Sequence, residues 1–450
     1  MKDRPNVIVF FTDQQRWDTT GVHGNPLDLT PNFDRLARAG ADVHYSITCQ
    51  PVCGPARACL QTGLYATETG CYRNDVPLPG DSRTLANYFQ EADYDTAYIG
   101  KWHLSDEGAG FVSKAQRGGY DYWLASNVLE FTSDAYDMVM YDGEGAAQKL
   151  PGYRVDAQTD AMIRYINEHQ DRPFFLFSSF IEPHHQNHRN DYPAPAGYAE
   201  RYRGRWLPPD LAALGGSTHQ HLAGYLGMIK RLDEALGRLV DALISLDMLE
   251  DTIILFTSDH GNHFKTRNAE YKRSCHEASV RVPTMLYGGP FTGGGRLSQL
   301  VSLIDLPPTL LDAAGIPVPP HMSGRSILPL IRGEAVDWPD EVFIQMSESH
   351  LGRAIRSKRW KYAVTAPDKH GWNDAGSDHY VESELYDLLA DPEELHNRAG
   401  LETHRAVCDV LRSRLIRRMI EANEDEPIIE PAPLVRGSGQ LQVDIEEGWQ

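Results

Sequence analysis

The chain has 450 residues, 41% of them hydrophobic, and a formal net charge of −20. That length and apolar content support a large α/β domain plus a smaller one. The charge excludes non-specific binding to nucleic acid or anionic membranes, so any anionic ligand must be caught by a local cluster of Arg, Lys and His. Six cysteines are too sparse for a disulfide framework. The first apolar run is too short for a secretory leader, and no stretch approaches the roughly 18 apolar residues of a membrane span. The chain as given therefore reads as soluble and cytoplasmic, or periplasmic if a leader has been removed.

Val7 to Phe11 is a β-branched and aromatic run bounded by Pro5 and Asp13, the pattern of a buried parallel strand. Asp13 and Gln14 follow it, where open α/β sheets place their ligands. Thr30 to Ala37 is a capped helix with Pro31 at its first position. Next comes Cys53-Gly54-Pro55-Ala56-Arg57, a turn feeding a short helix that Gly63 ends. Cys53 is thus placed at a helix N-terminus with Arg57 one turn on, so thiol, free N–H groups and guanidinium together suit an oxyanion.

Thr84 to Glu91 is a helix and Thr96 to Gly100 a short strand, followed by Lys101 and His103. Residues 106 to 152, with poor periodicity, read as an insertion near a pocket mouth. Asp156 to His169 is helical. Pro173 to Phe180 is a buried strand that leads into Pro183, His184, His185 and His188. A Pro/Gly-rich loop over 189–215 precedes one long helix, His219 to Asp247. Thr252 to Thr257 is a strand ending in Asp259 and His260. Val282 to Tyr287 is a further strand and Leu306 to Ala314 a helix. Beyond a boundary near 335, Glu341 to Met346 and Ala354 to Thr365 read as strands of a smaller sheet and His404 to Glu421 as a closing helix. The last 25 or so residues read as an acidic, aperiodic arm. The expected domains are therefore 1–335, catalytic, and 336–450, a C-terminal subdomain with an acidic tail.

Asp13 with Gln14, Lys101 with His103, His184, and Asp259 with His260 all follow strands. Each alone reads as a turn, cap or surface residue. Parallel strands gather such ends, and two carboxylates, an amide oxygen and an imidazole suit Ca²⁺, Mg²⁺ or Mn²⁺.

The string Cys-x-Pro-x-Arg with Leu60 and Gly63 resembles the signature of the type I, formylglycine-dependent sulfatases of the alkaline phosphatase superfamily. Further motifs follow in that family's order: Thr12-Asp13-Gln14-Gln15-Arg16, Thr30 to Ala37, Gly100-Lys101-Trp102-His103-Leu104, Pro183-His184, Thr257-Ser258-Asp259-His260-Gly261, Lys272 ahead of Glu277 to Pro283, and Glu384-Leu385-Tyr386-Asp387 with Asp391-Pro392. The resemblance implies a large, mostly parallel sheet flanked by helices, with a smaller C-terminal antiparallel sheet and helix. It also implies a sulfuric ester hydrolase in which a formylglycine-generating enzyme converts Cys53 to formylglycine. Asp13, Gln14, Asp259, His260 and residue 53 would hold a divalent metal, Ca²⁺ first and Mn²⁺ or Mg²⁺ as alternatives.

In the implied mechanism Arg57 holds the formylglycine hydrate. Lys101, Lys272 and His184 neutralise the sulfate oxygens, His184 or His276 protonates the leaving alcohol, and His103 removes the second hydroxyl proton. The motifs depart from some relatives in having Asp-Gln for Asp-Asp and Asp-His for Asp-Asn. The related phosphonate monoester hydrolases, which share a Cys-Gly-Pro-Ala-Arg string, are the alternative reading, and a non-catalytic binder of sulfated glycans is a third. The expected substrate is a sulfate ester, of a carbohydrate first. Candidates to rim the pocket are Arg73, Asn74, His185, His188, His263, Arg267 and His276, with His350 and Arg353 reaching over from the smaller domain to bind a carboxylate or second sulfate.

Overall fold

The computed structural model describes residues 4–434. Strands are numbered in chain order: β1 (Asn6–Thr12), β2 (Ala41–Ile47), β3 (Asp95–Lys101), β4 (Tyr122–Ser126), β5 (Met138–Asp142), β6 (Ala147–Leu150), β7 (Phe174–Ser179), β8 (Thr252–Ser258), β9 (Arg281–Val282), β10 (Met285–Tyr287) and β11 (Gly295–Ser302). They form one sheet in the order β11-β2-β10-β8-β1-β7-β3-β4-β5-β6, with β9 paired to β2. The run β8-β1-β7-β3-β4 is parallel throughout. Apolar residues of β1 such as Val7, Val9 and Phe11 pack into a core on one face, while Ile8 and Phe10 pack into a second core on the other. Burial on both faces is why β1 reads as an unbroken apolar run rather than an alternating one. The helices Arg154–Glu168 and Thr218–Ser245 lie on the second face. The smaller sheet has the order β12 (Glu341–Met346), β13 (Gly352–Ser357), β14 (Trp360–Thr365), β15 (His379–Asp387) and β16 (Ile428–Glu430), and the helix Arg405–Glu421 packs on it. The expected fold class is therefore the one observed.

Five local expectations change. The run from Ala354 to Thr365, expected as one strand, is the antiparallel pair β13 and β14 with a turn at 358–359. Residues 106–152 are not merely an insertion, because β4 pairs with β3 and the β5–β6 hairpin extends the same sheet. The 189–215 loop contains the short helices Tyr198–Tyr202 and Pro209–Ala213. The run from Val282 to Tyr287 is split into β9 and β10 around Pro283, which has no N–H to give a ladder. The C-terminal arm begins as a strand, since β16 adds in parallel to β15; its remainder, 435–450, lies outside the described residues. Among the described residues no helix is long and apolar enough to cross a membrane.

Candidate active site

Strand register gathers the site. Thr12 is opposite Ser258, Phe11 opposite Ser179, and Ser179 opposite Gly100. The residues that follow, Asp13, Asp259, Lys101 and Glu182, therefore leave the sheet side by side at its carboxyl edge. Gly100 sits at φ +113, and a Cβ there would run into the Ser179 carbonyl, so the approach of β3 to β7 requires glycine. Gln14 (φ +70) and His103 (φ +60) are non-glycine residues in left-handed backbone, both at this edge. Such strain persists where the surroundings over-determine it.

The helix Cys53–Thr62 points its first residue into this edge and ends at Gly63, φ +72. Cys53 Sγ lies 2.7 Å from Lys272 Nζ, 3.3 Å from His260 Nε2 and 3.6 Å from Asp13 Oδ1. Arg57 donates to Asp13 Oδ2 at 2.9 Å, to Ser179 Oγ at 2.6 Å and to the Lys101 carbonyl at 3.0 Å. Lys101 Nζ is held between Asp13 Oδ2 at 2.9 Å and Glu130 Oε1 at 2.8 Å. Lys272 Nζ also meets His260 Nε2 at 3.0 Å and His184 Nε2 at 3.4 Å.

The charges set one another. Burial and Cys53 act to raise Asp13, yet Lys101, His184 and Arg57 hold its carboxyl below the usual range. Burial would raise Glu130, but Lys101 above all pulls it down to about 2. Burial opposes ionisation of the Cys53 thiol, and Lys101, Lys272 and His260 nonetheless drive it well below its ordinary value. The position of Sγ therefore favours a negative atom. Asp259 behaves oppositely: burial and the neighbouring Asp13 push it up to about 7.

A divalent cation fits these residues. Asp13, Cys53, Asp259 and His260 place one ligand atom each within 4.8 Å of one another, all fully buried. The repulsion that raises Asp259 is what such a cation relieves. Gln14 stands beside them, its backbone N–H bonded to Asp259 Oδ1 at 2.9 Å and its buried Nε2 without a partner.

A cleft of about 220 Å³ opens over Cys53, lined by Gln14, Asn74, His103, Glu130, His184, His185 and Lys272. Asn74 Oδ1 also accepts the Gly54 N–H at 2.9 Å, and Arg73 stacks 4.7 Å over Trp372, which lines the cleft. Burial, with His184 and Lys272, lowers His185 to about 3, so it is a neutral wall. The other rim candidates are not among the residues that line this cleft. His188 is half-exposed beside Asp134, and His350 bonds Ser349, whose hydroxyl donates to the carbonyl of the lining residue Arg273. His263 is fully buried with Nε2 on the Lys272 carbonyl, so it braces that lysine from behind. Arg267 is tied to the carbonyls of Glu393 and Glu394. His276 is buried against Tyr386 and Glu384, away from Cys53. Arg353 is buried in an ion pair with Glu424 and lines a different cleft.

Sequence reasoning missed Glu130, Ser179, Tyr271, Arg273 and Trp372. Glu130 lies in the aperiodic 106–152 stretch, where no pattern marks it. Ser179 was legible as the last residue of β7, but only the register shows that it meets Arg57.

The sulfatase family model matches residues 5–316, and the model described as "N-sulphoglucosamine sulphohydrolase, C-terminal" matches residues 269–421. An ulvan-active sulfatase of Formosa agariphila is 28% identical over 94% of this chain and 82% of its own length. An N-acetylglucosamine-6-O-sulfatase of Bacteroides thetaiotaomicron is 26% identical over 97% of this chain and 90% of its own. Among solved structures, a 4S-sulfatase described with glycosaminoglycan metabolism by Bacteroides thetaiotaomicron superposes with TM-score 0.82 at 21% identity, over 94% of this chain and 97% of that one. The phosphonate monoester hydrolase of Agrobacterium radiobacter superposes with TM-score 0.68 at 23% identity, over 93% and 96%.

Proposed function

The chain belongs to the sulfatase family and is a sulfuric ester hydrolase; on that premise we propose that it cleaves a carbohydrate sulfate ester, with Cys53 matured to formylglycine and a divalent metal held by Asp13, Gln14, Asp259 and His260. The observation that carries the reading is the convergence of Lys272 and His184 on Cys53 beside the Asp13–Asp259 pair. Two of the relatives are carbohydrate-directed by name or description. The division into a catalytic part, 1–335, and a C-terminal part, 336–450, belongs to the same proposal.

Addition of water to formylglycine at residue 53 would supply a hydroxyl nucleophile where Sγ now stands, and a bound cation would favour its ionised form and offset sulfate charge. Arg57 and Lys101 hold Asp13 in place as an ionised ligand. Lys272, whose contacts are the thiol and two imidazoles, is free to meet the sulfate oxygens as charge shifts onto them. His184 donates from Nδ1 to the His185 carbonyl at 2.6 Å, which fixes the ring; in the imidazolium form its Nε2 carries the proton given to the leaving alcohol. His103, at the cleft wall with Nδ1 unpartnered, removes the proton that lets the sulfated residue collapse and release sulfate.

The rim argues for a neutral sugar. Trp372 offers a flat face, Asp75 supplies an acceptor for hydroxyls, and the rim cation Arg273 is paired with Glu348 and Glu270. A sulfate monoester presents three charged oxygens, a phosphonate monoester only two, and an unmet donor costs about 1–3 kcal/mol. A panel of sulfated sugars tested beside phosphonate monoesters of the same alcohols should give kcat/KM at least about tenfold higher for sulfate. Equal or reversed preference would move the chain to the phosphonate reading. Full formylglycine with turnover of neither class would favour a glycan binder.

A further inference from the structure

Three buried polar atoms away from the reaction site, on residues that lie together, have no hydrogen-bond partner: His23 Nε2, Asp42 Oδ1 and His44 Nδ1. Asp42 and His44 are two apart on β2 and so share a face of it, and His23 closes over them from the helical turn Gly21–His23. His23 Nε2 and Asp42 Oδ1 are 3.7 Å apart, with the two side chains 0% and 6% exposed. The imidazoles of His23 and His44 stack at 5.2 Å, 13° from parallel. One ligand atom from each residue lies within 4.8 Å of the other two.

The surrounding hydrogen bonds say what these atoms carry. His23 Nδ1 meets Thr20 Oγ1 at 2.7 Å, and that hydroxyl reaches the Trp17 carbonyl. With the proton on Nδ1, donated to Thr20, His23 Nε2 is a bare lone pair near a carboxylate oxygen. Two buried acceptors so placed repel one another unless something positive lies between them. The nearby guanidinium groups do not fill that place. Arg296 bonds the other oxygen of Asp42 at 2.8 Å, and Arg281 gives Nε and Nη2 to the His44 carbonyl and stacks on Trp17 and Tyr45. Burial first, then Arg281, keeps both imidazoles neutral, His44 at about 4 and His23 well below its ordinary value. Neutral imidazole is the metal-binding form.

We propose that His23, Asp42 and His44 bind one divalent ion of the zinc class, a site separate from the strand-end carboxylates. Two imidazoles and one carboxylate are a donor set that zinc accepts. Its ligand atoms stand about 3.3 Å apart in a tetrahedron, so the three groups need to move by only about 1 Å. His23 also lines a cavity of about 260 Å³ with Trp17, Asn25, Trp206 and Glu393, from which an ion and the water of its fourth position would enter. The ion would clamp the loop that follows Asp13 and Gln14 to the strand that leads into Cys53.

The test uses the full chain carrying Cys53→Ala and Asp259→Asn, which takes the thiolate and one carboxylate from the reaction-site set, stripped with a chelator and dialysed against Zn²⁺. One retained equivalent of zinc is expected, together with a visible absorption band when Co²⁺ replaces it. Adding His44→Ala should remove both while the far-UV circular dichroism is unchanged. His23→Gln is the second variant; it should lose the same equivalent and decides the question if His44→Ala does not fold. No zinc above background, or equal zinc with and without the histidines, would overturn the proposal and leave the three atoms to a buried water.

Discussion

Lys272 Nζ lies 2.7 Å from Cys53 Sγ although 219 residues separate them. Its other contacts are imidazoles, whereas Lys101 in the same site is locked between two carboxylates. On the proposed mechanism the two lysines do different work, Lys272 meeting the sulfate and Lys101 holding Asp13 and Glu130. Lys272→Ala should fold normally and lower kcat/KM by about 10²–10³-fold, the usual cost of removing one donor aimed at developing charge. A loss below about tenfold would detach Lys272 from the reaction.

Lys101→Met should show the opposite signature. It leaves Asp13 and Glu130 buried with their main compensating charge gone, which costs about 3–5 kcal/mol. Chemical denaturation should read this as a lower midpoint at constant slope. A midpoint equal to wild type would mean that another group takes over the charge.

Residue 53 should be about 18 Da lighter than cysteine in active protein, the mass change of thiol to aldehyde, by peptide mass analysis. Cys53→Ser should give at most a single turnover, because a sulfated serine has no second hydroxyl through which to collapse. Sustained turnover by pure Cys53→Ser protein would remove the basis of the mechanism.

Asp233 carries a pH dependence of stability unrelated to catalysis. Its carboxylate accepts the backbone N–H groups of Asn32 and Phe33 at the start of the helix Pro31–Ala39, yet burial dominates and raises it from 3.8 to about 6. The native state therefore binds the proton more tightly than the unfolded chain. That contribution is fully present below pH 3.8 and is lost as pH rises through about 6. Between those values wild type should lose about 2–3 kcal/mol relative to Asp233→Asn, measured by urea unfolding across the window. Parallel curves for the two proteins would refute the assignment.

Arg353→Ala should leave KM for the sulfate ester unchanged and cost about 3 kcal/mol of stability, because it strands Glu424 and opens a cleft that is not the one over Cys53. A raised KM with normal stability would restore Arg353 to the substrate rim.

What the sequence determined by itself was local and ordered along the chain. The apolar runs of β1, β7 and β8 mark buried strands because both faces are covered, and the polar residues immediately after them mark the site because a parallel sheet opens its ligand edge there. Gly63 and Pro55 mark the helix that presents Cys53. Tertiary structure alone decided which cations are free and which are spent. Long-range pairing and the direction of side chains in loops have no sequence period, so nothing in the string distinguishes Lys272, which faces the thiol, from Lys101, which Glu130 captures. The same reason moved Arg353 and His276 from an expected rim into the interior and Arg267 to a second cavity, where each finds a partner far away in sequence. It also brought His23 to Asp42 and His44, because a loop and a strand meet only when the sheet is built.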